Sequence, residues 1–186
     1  MARTHLVLLS VAACIAAAPA AAAVTVIGNS SARNCYEAAE LDLPPQRLAI
    51  EQCDRALNEE SLVMDDVVAT HVNRGILRAR SGNIPAAIAD FDRAMALDPN
   101  EAEAYLNKAL VLTMKASQAR QAVPLFTMAL EKKTRRPELA YFGRAAANED
   151  LGDVRSAYAD YTSAAAAAPK WPAPQAELAR FNVRAR

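Results

Sequence analysis

Ala87-Ile88-Ala89-Asp90-Phe91-Asp92-Arg93-Ala94 is the stretch that decides the fold. It echoes Ala49-Ile50-Glu51-Gln52-Cys53-Asp54-Arg55-Ala56 upstream. It returns in outline as Ala122, Phe126 and Ala129, and again as Ala157, Tyr161 and Ala164. The last three copies lie 35 residues apart, and the first precedes the second by 38. An alanine, a ring and an alanine at i, i+4 and i+7 fall on one face of a helix. The small residues let a partner helix approach, and the ring fills the gap between pairs. A phrase repeated at this period marks stacked helix pairs.

Working outward, each copy reads as the second helix of a pair. Amphipathic first helices are expected over 69–80, 103–115 and 139–151. Gly82-Asn83 and Gly152-Asp153 place a glycine after a first helix and an N-cap before a second. Asn100 and Glu103 have the spacing of a capping box. The earliest copy is degenerate: its second helix is clear, while its first, over 31–41, lacks the pattern, and Pro44-Pro45 separates the two. A terminal repeat is expected to be atypical, because one face has no neighbour. After Pro172 and Pro174, residues 175–183 fit a capping helix using Leu178 and Phe181.

These segments resemble tetratricopeptide repeats (TPR), with small residues at repeat positions 8, 20 and 27, an aromatic at 24 and proline at 32. In the copy beginning at Val68 those positions hold Gly75, Ala87, Phe91, Ala94 and Pro99. In the copy beginning at Ala102 they hold Ala109, Ala122, Phe126 and Ala129, with Thr134 where proline is expected. In the copy beginning at Glu138 they hold Ala145, Ala157, Tyr161, Ala164 and Pro169. The middle copy also lacks a turn glycine over 116–120 and carries one extra residue there. The resemblance implies an all-α chain: a TPR-like α-solenoid, a right-handed superhelix of antiparallel helix pairs with a C-terminal capping helix. The expected organisation is a signal peptide over 1–23, a mature N-terminal segment over 24–30 and a TPR domain over 31–171. Its repeats fall at about 31–60, 68–101, 102–136 and 138–171, followed by a capping helix and tail over 172–186.

The signal reading rests on Arg3, the apolar run 6–13 and the alanines Ala20 to Ala23, which offer a cut before Val24. A rival is the lipobox-like Val11-Ala12-Ala13-Cys14, which would make Cys14 a lipidated N-terminus. Lys+Arg and Asp+Glu both number 21, so nothing electrostatic favours nucleic acid or an anionic membrane. The expected location is exported and periplasmic, with membrane attachment only if Cys14 is lipidated.

Outside the signal, two cysteines remain. Cys35 and Cys53 are symmetric about Pro44, hence at one height on two antiparallel helices, which suits a disulfide in an oxidising compartment. The alternative is a pair of small buried hydrophobes. Arg74 and Arg144 each precede an aspartate by 16 residues, Asp90 and Asp160, and where the middle copy has Leu125 the arginine becomes Lys108. That covariation points to structural ion pairs within a repeat. Asn73 and Asn107 share a position. Some TPR domains place an asparagine there in a clamp for a C-terminal peptide, but the basic residues of such a clamp are missing, and bonding to neighbouring backbone fits better.

The family's groove positions give a mostly apolar stripe, in which Val72, Asn73, Ile76, Leu106, Asn107, Leu110 and Phe142 are the candidates for peptide contact. The stripe is either an open groove or a surface covered by the C-terminal cap or by residues 24–30. His5 lies in the signal, His71 sits at a packing position, and no catalytic or phosphate-binding motif occurs. An enzyme would need an acid–base pair around Asp65-Asp66 or Glu149-Asp150. The expectation is a non-enzymatic interaction scaffold or adaptor without cofactor, metal or catalytic residue, whose partner is another protein or peptide; the alternative is a lipid-anchored envelope component.

Overall fold

The computed structural model describes residues 22–26, 30–41, 46–114 and 116–181. Most of the expected signal (1–21), Cys14, Pro44-Pro45 and the last residues of the tail lie outside them. Nine α-helices are found among the described residues: α1 (Ser31–Leu41), α2 (Gln46–Glu59), α3 (Met64–Arg80), α4 (Ile84–Leu97), α5 (Ala102–Thr113), α6 (Ala119–Glu131), α7 (Pro137–Asp150), α8 (Val154–Ala167) and α9 (Pro172–Leu178). A single 3₁₀ turn, Ala116–Gln118, precedes α6. The helices pack in consecutive antiparallel pairs, and the first helices α1, α3, α5 and α7 also touch one another in a row. That row is the concave face.

The repeated phrase supplies the core of each pair. Ala87, Phe91 and Ala94 are fully buried, as are Ala122, Phe126 and Ala129. Glycine is required where the ring presses on a first helix. A Cβ at Gly75 would lie 2.5 Å from Phe91 Cε1, and one at Gly143 would collide with the Phe126 ring. In the first pair the ring position is Cys53, and its Sγ is bonded to Cys35, with the Cα atoms 5.0 Å apart.

Gly82 (φ 82°) and Gly152 (φ 80°) turn the chain out of α3 and α7. Asn83 and Asp153 then cap α4 and α8 by accepting from the Ala86 and Ser156 backbone N–H groups. The structure corrects several boundaries. Helix α3 begins at Met64, ahead of the expected repeat start, with Asp65 and Asp66 in its first turn favoured by the helix dipole. The capping box at Asn100 does not form. Glu101 takes the N-cap and accepts from Glu103 N, because the Glu103 side chain is engaged elsewhere. Helix α9 starts at Pro172, where the first turn tolerates proline, and stops at Leu178, before Phe181. Phe181 still packs on Tyr158 and Tyr161.

Candidate functional site

The cationic positions are structural latches, and they bridge more than the sequence pattern indicates. Arg74 donates to both oxygens of Asp90 (Nη2–Oδ1 2.6 Å, Nε–Oδ2 3.0 Å), and Arg78 adds a bond to Oδ2 at 2.8 Å. The third arm of Arg74 reaches back to Asp54 on α2 at 2.7 Å. Arg144 repeats the fork on Asp160 (2.8 Å twice) and reaches back to Thr127 Oγ1 on α6 at 3.0 Å. Lys108 has no acidic partner within its own pair, yet keeps the backward link, to Asp92 at 2.5 Å. Each cation therefore ties its repeat to the residue following the ring position of the repeat before.

Burial alone would raise the Asp90 carboxyl. Hydrogen bonds from His71 and Arg74, with the charges of Arg74 and Arg78, outweigh it and hold the group below its ordinary value. Burial likewise opposes the Arg74 charge, but the bonds and charges of Asp90 and then Asp54 leave it more basic than usual.

The concave face is occupied. Residues 22–26 run across it without helical structure, and Ala22, Ala23 and Val26 are buried. Asn73, fully buried on α3, grips the backbone of one residue from both ends. Its Oδ1 accepts from Val24 N at 2.8 Å, and its Nδ2 donates to Val24 O at 2.8 Å. The N–H only donates and the carbonyl only accepts, so the two bonds fix the orientation of the amide. One turn of the solenoid along, Asn107 Nδ2 donates to Ala22 O (3.3 Å) as well as to Glu103 O on its own helix (2.8 Å). Between them, Arg135 Nη2 donates to Ala23 O at 2.9 Å.

Arg135 is held in place by a buried carboxylate. Glu103 accepts from Arg135 Nε (3.0 Å), from Arg135 backbone N (2.9 Å) and from Thr134 Oγ1 (2.5 Å). The turn that presents these groups has Lys133 in the left-handed region at φ 62°. Lys133 N and Thr134 N satisfy the last carbonyls of α6, at Leu130 and Ala129. Four main-chain polar groups of this segment (Ala22 O, Ala23 O, Val24 N and Val24 O) are thus met by side chains, and none of these contacts reads a side chain of the segment.

Of the residues singled out from the sequence, Asn73 and Asn107 contact the strand directly. Val72 and Ile76 share an apolar cluster with Ala23, and Leu106 shares one with Ala22. Ile76 and Leu110 also line a cavity of about 240 Å³ with Phe91, Asn107 and Met114. Phe142 belongs elsewhere. It packs on Tyr161 (5.3 Å between ring centroids) and Trp171 (4.8 Å), so the C-terminal cap covers its end of the face. Glu149 is taken up by Tyr161 Oη (3.1 Å) and Arg180 (2.6 Å). Arg135 and Thr134 were missing from the sequence reading of the groove, and Glu103 stood in it only as an acid near the apolar stripe. Their signal was present as two departures from the repeat pattern: an acid in the family's groove line, and threonine in place of proline. Among the described residues no cluster of His, Cys, Asp and Glu is arranged to hold a metal ion. No helix among them is long and apolar enough to cross a membrane.

No protein-family model matches the chain, and no curated protein does. Solved structures do. A double mutant of MamA RS-1 superposes with a TM-score of 0.67 at 20% identity, over 86% of each chain. MamA from residue 41 onward, from Desulfovibrio magneticus RS-1, gives 0.66 at 20% identity over 86% of this chain and 87% of that one. PilW, described as a widely conserved type IV pilus biogenesis factor, gives 0.66 at 20% identity over 80% of this chain and 67% of that one. MamA and PilW are TPR-repeat proteins, and the fold of this chain is that of a TPR-type solenoid.

Proposed function

We propose that this protein is a non-enzymatic scaffold or adaptor of the bacterial cell envelope that binds a peptide or partner protein as extended backbone along its concave face. The observation that carries the reading is the grip of Asn73, Asn107 and Arg135 on main-chain groups of residues 22–24. Side chains spaced along consecutive repeats that satisfy main-chain groups are a recognition device, since affinity comes from main-chain bonds and selectivity from the room left for side chains. Val72, Ile76, Leu106 and Leu110 form its apolar floor. Phe142, beside Trp171, bounds it. An envelope location is supported by the N-terminal signal pattern and by the Cys35–Cys53 bridge, which belongs to an oxidising compartment. PilW, similar in fold, is described as a type IV pilus biogenesis factor, which fits an assembly role.

The test is site-specific photo-crosslinking in the native host from Leu110, which lines the open part of the face. A crosslinked partner that disappears in an Asn73→Ala, Asn107→Ala chain of unchanged helicity supports the reading. A crosslink indifferent to those substitutions moves the site off the groove. Mass spectrometry of the mature N-terminus decides between the soluble form and one anchored through a diacylglyceryl Cys14.

A further inference from the structure

We infer that a cavity beside the C-terminal end of the concave face is a binding site for a free acyl-chain monocarboxylate, a site that the groove reading neither uses nor needs. The cavity has a volume of about 560 Å³ and lies between the first turn of α7 and the turn that joins α8 to α9. Leu139 reaches it from α7, Ala168 and Pro169 from the end of α8, and Trp171 from just before α9. Small-molecule sites have this size, and they combine apolar walls with a few placed polar groups.

The walls are fixed without a ligand. Trp171 packs on Phe142, with ring centroids 4.8 Å apart, and Phe142 packs on Tyr161 at 5.3 Å. Trp171 N donates to Ala168 O at 3.0 Å, which closes the turn. Gln175 Nε2 donates to Pro169 O at 3.3 Å, which ties the turn to α9. A cavity formed in advance spares its ligand the cost of ordering it.

The lining then selects the ligand in two parts. Among the described residues no hydroxyl, amide or imidazole side chain lines the cavity, so a polar body would lose its water without replacement. The body of the ligand is therefore apolar. The charges decide its head. Arg136 and Glu138 satisfy each other through Arg136 Nε and Glu138 Oε1, 2.6 Å apart. Lys170 is exposed and makes no ion pair among the described residues, so its ammonium group is the uncompensated charge of the lining. Helix α7 adds to that charge. Its N-cap residue, Arg136, supplies no side-chain cap, and Glu138 and Leu139 belong to its first turn, so the positive end of the helix dipole lies at the cavity wall. Both features favour one negative charge. An apolar chain that ends in one carboxylate satisfies body and head together. A membrane surface fits less well, because Lys+Arg and Asp+Glu both number 21 and attraction to anionic lipid needs a cluster of cations. A partner's apolar side chain would fill the walls and leave Lys170 without an anion.

Trp171 is the only tryptophan of the chain, so its fluorescence reports on this cavity without a label. The 186-residue chain is titrated, below micelle-forming concentrations, with hexanoate, octanoate and decanoate, and with decan-1-ol as the uncharged control. Each two-carbon step is expected to tighten binding about tenfold, because each CH₂ removes apolar surface from water. Decanoate is expected to bind about threefold tighter than decan-1-ol, the modest preference that one exposed cation confers. Lys170→Gln should remove most of that preference and leave the melting temperature unchanged. Ala168→Phe puts a ring into the cavity and should abolish the response to all three acids. No change in Trp171 fluorescence, affinity indifferent to chain length, or a preference for the acid that is unchanged in Lys170→Gln each overturn the inference. Decan-1-ol binding as tightly as decanoate assigns the cavity to a neutral group, such as a partner's side chain, and overturns it. A response to phosphatidylglycerol vesicles without one to decanoate assigns it to a membrane surface and also overturns it. The crosslink from Leu110 is independent of every one of these outcomes, so the two readings fail separately.

Discussion

Asp98-Pro99-Asn100 follows α4 and Lys133-Thr134-Arg135 follows α6, at equivalent places one repeat apart. In the first turn Asn100 N donates to Asp98 Oδ1 at 2.8 Å, Asn100 Oδ1 accepts from Lys132 Nζ and Pro99 O accepts from Tyr105 Oη, all scaffold groups. The second has threonine for proline, and every consequence points inward. The hydroxyl binds buried Glu103, Glu103 orients Arg135, and Arg135 holds Ala23 O. Positions that follow the repeat pattern build the scaffold; positions that depart from it build the grip. The same contrast separates α3–α4, closed by Phe91 over Gly75, from α1–α2, closed by a disulfide.

The scaffold side should break hardest. Phe91→Ala leaves a ring-sized void between Gly75, Ala87 and Ala94, and is expected to cost about 3–5 kcal/mol. Urea unfolding followed by circular dichroism checks it. Next comes the bridge that replaces the ring. Reduction of Cys35–Cys53, or Cys35→Ala with Cys53→Ala, should cost about 3 kcal/mol, with the first pair loosening before the rest. Hydrogen exchange resolved by segment reads that order, and unchanged protection of α1 and α2 would contradict it. Gly75→Ala pushes a methyl group into the Phe91 ring edge and is expected to cost about 1–3 kcal/mol by the same denaturation assay.

The latch predicts a pH dependence. The folded Asp90 carboxyl titrates below its ordinary value, so its stabilising contribution is complete above that ordinary value. It is lost as pH falls through the lowered folded value. Asp90→Asn should lower stability by about 1–2 kcal/mol near pH 7 and flatten the acid limb of the melting-temperature profile. A variant whose acid limb matches the parent would assign acid sensitivity to other carboxylates.

The scaffold was legible in the sequence because its physics is periodic. Ala87, Phe91 and Ala94 must recur wherever a pair closes, and the 16-residue spacing from Arg74 to Asp90 is set by the pair itself. The backward links to Asp54, Asp92 and Thr127 were hidden because their chemistry varies while their position does not. Asn73 and Asn107 could be found as a repeated pair. Arg135 could not, since its meaning depends on a backbone carbonyl 112 residues away. The strand itself has no period, and the signal reading removes its first two residues from fold reasoning. Physical burial places Ala22 and Ala23 in the core nevertheless.

Restoring the pattern at the departed turn gives the smallest effect on stability and the sharpest on the groove. Thr134→Pro removes the hydroxyl that donates to Glu103 Oε2, and it removes Thr134 N, which closes α6 on Ala129 O at 2.9 Å. Thr134→Val keeps that N–H and the shape of the side chain, and loses only the hydroxyl. Two hydrogen bonds are then missing, the hydroxyl's donation to the buried Glu103 carboxylate and its acceptance from Arg136 N at 3.2 Å, for a net loss of about 1 kcal/mol. Arg135 keeps its own bonds to Glu103 Oε1, so its side chain stays near the strand, but Oε2 is left without its donor. The carboxylate is then free to rotate, and the guanidinium rotates with it. In the uncut 186-residue chain, amide protons of residues 23–26 should exchange faster in Thr134→Val while those of α3 and α4 hold. If strand and helices lose protection together, the turn after α6 is one more scaffold element and the contrast between the two turns collapses.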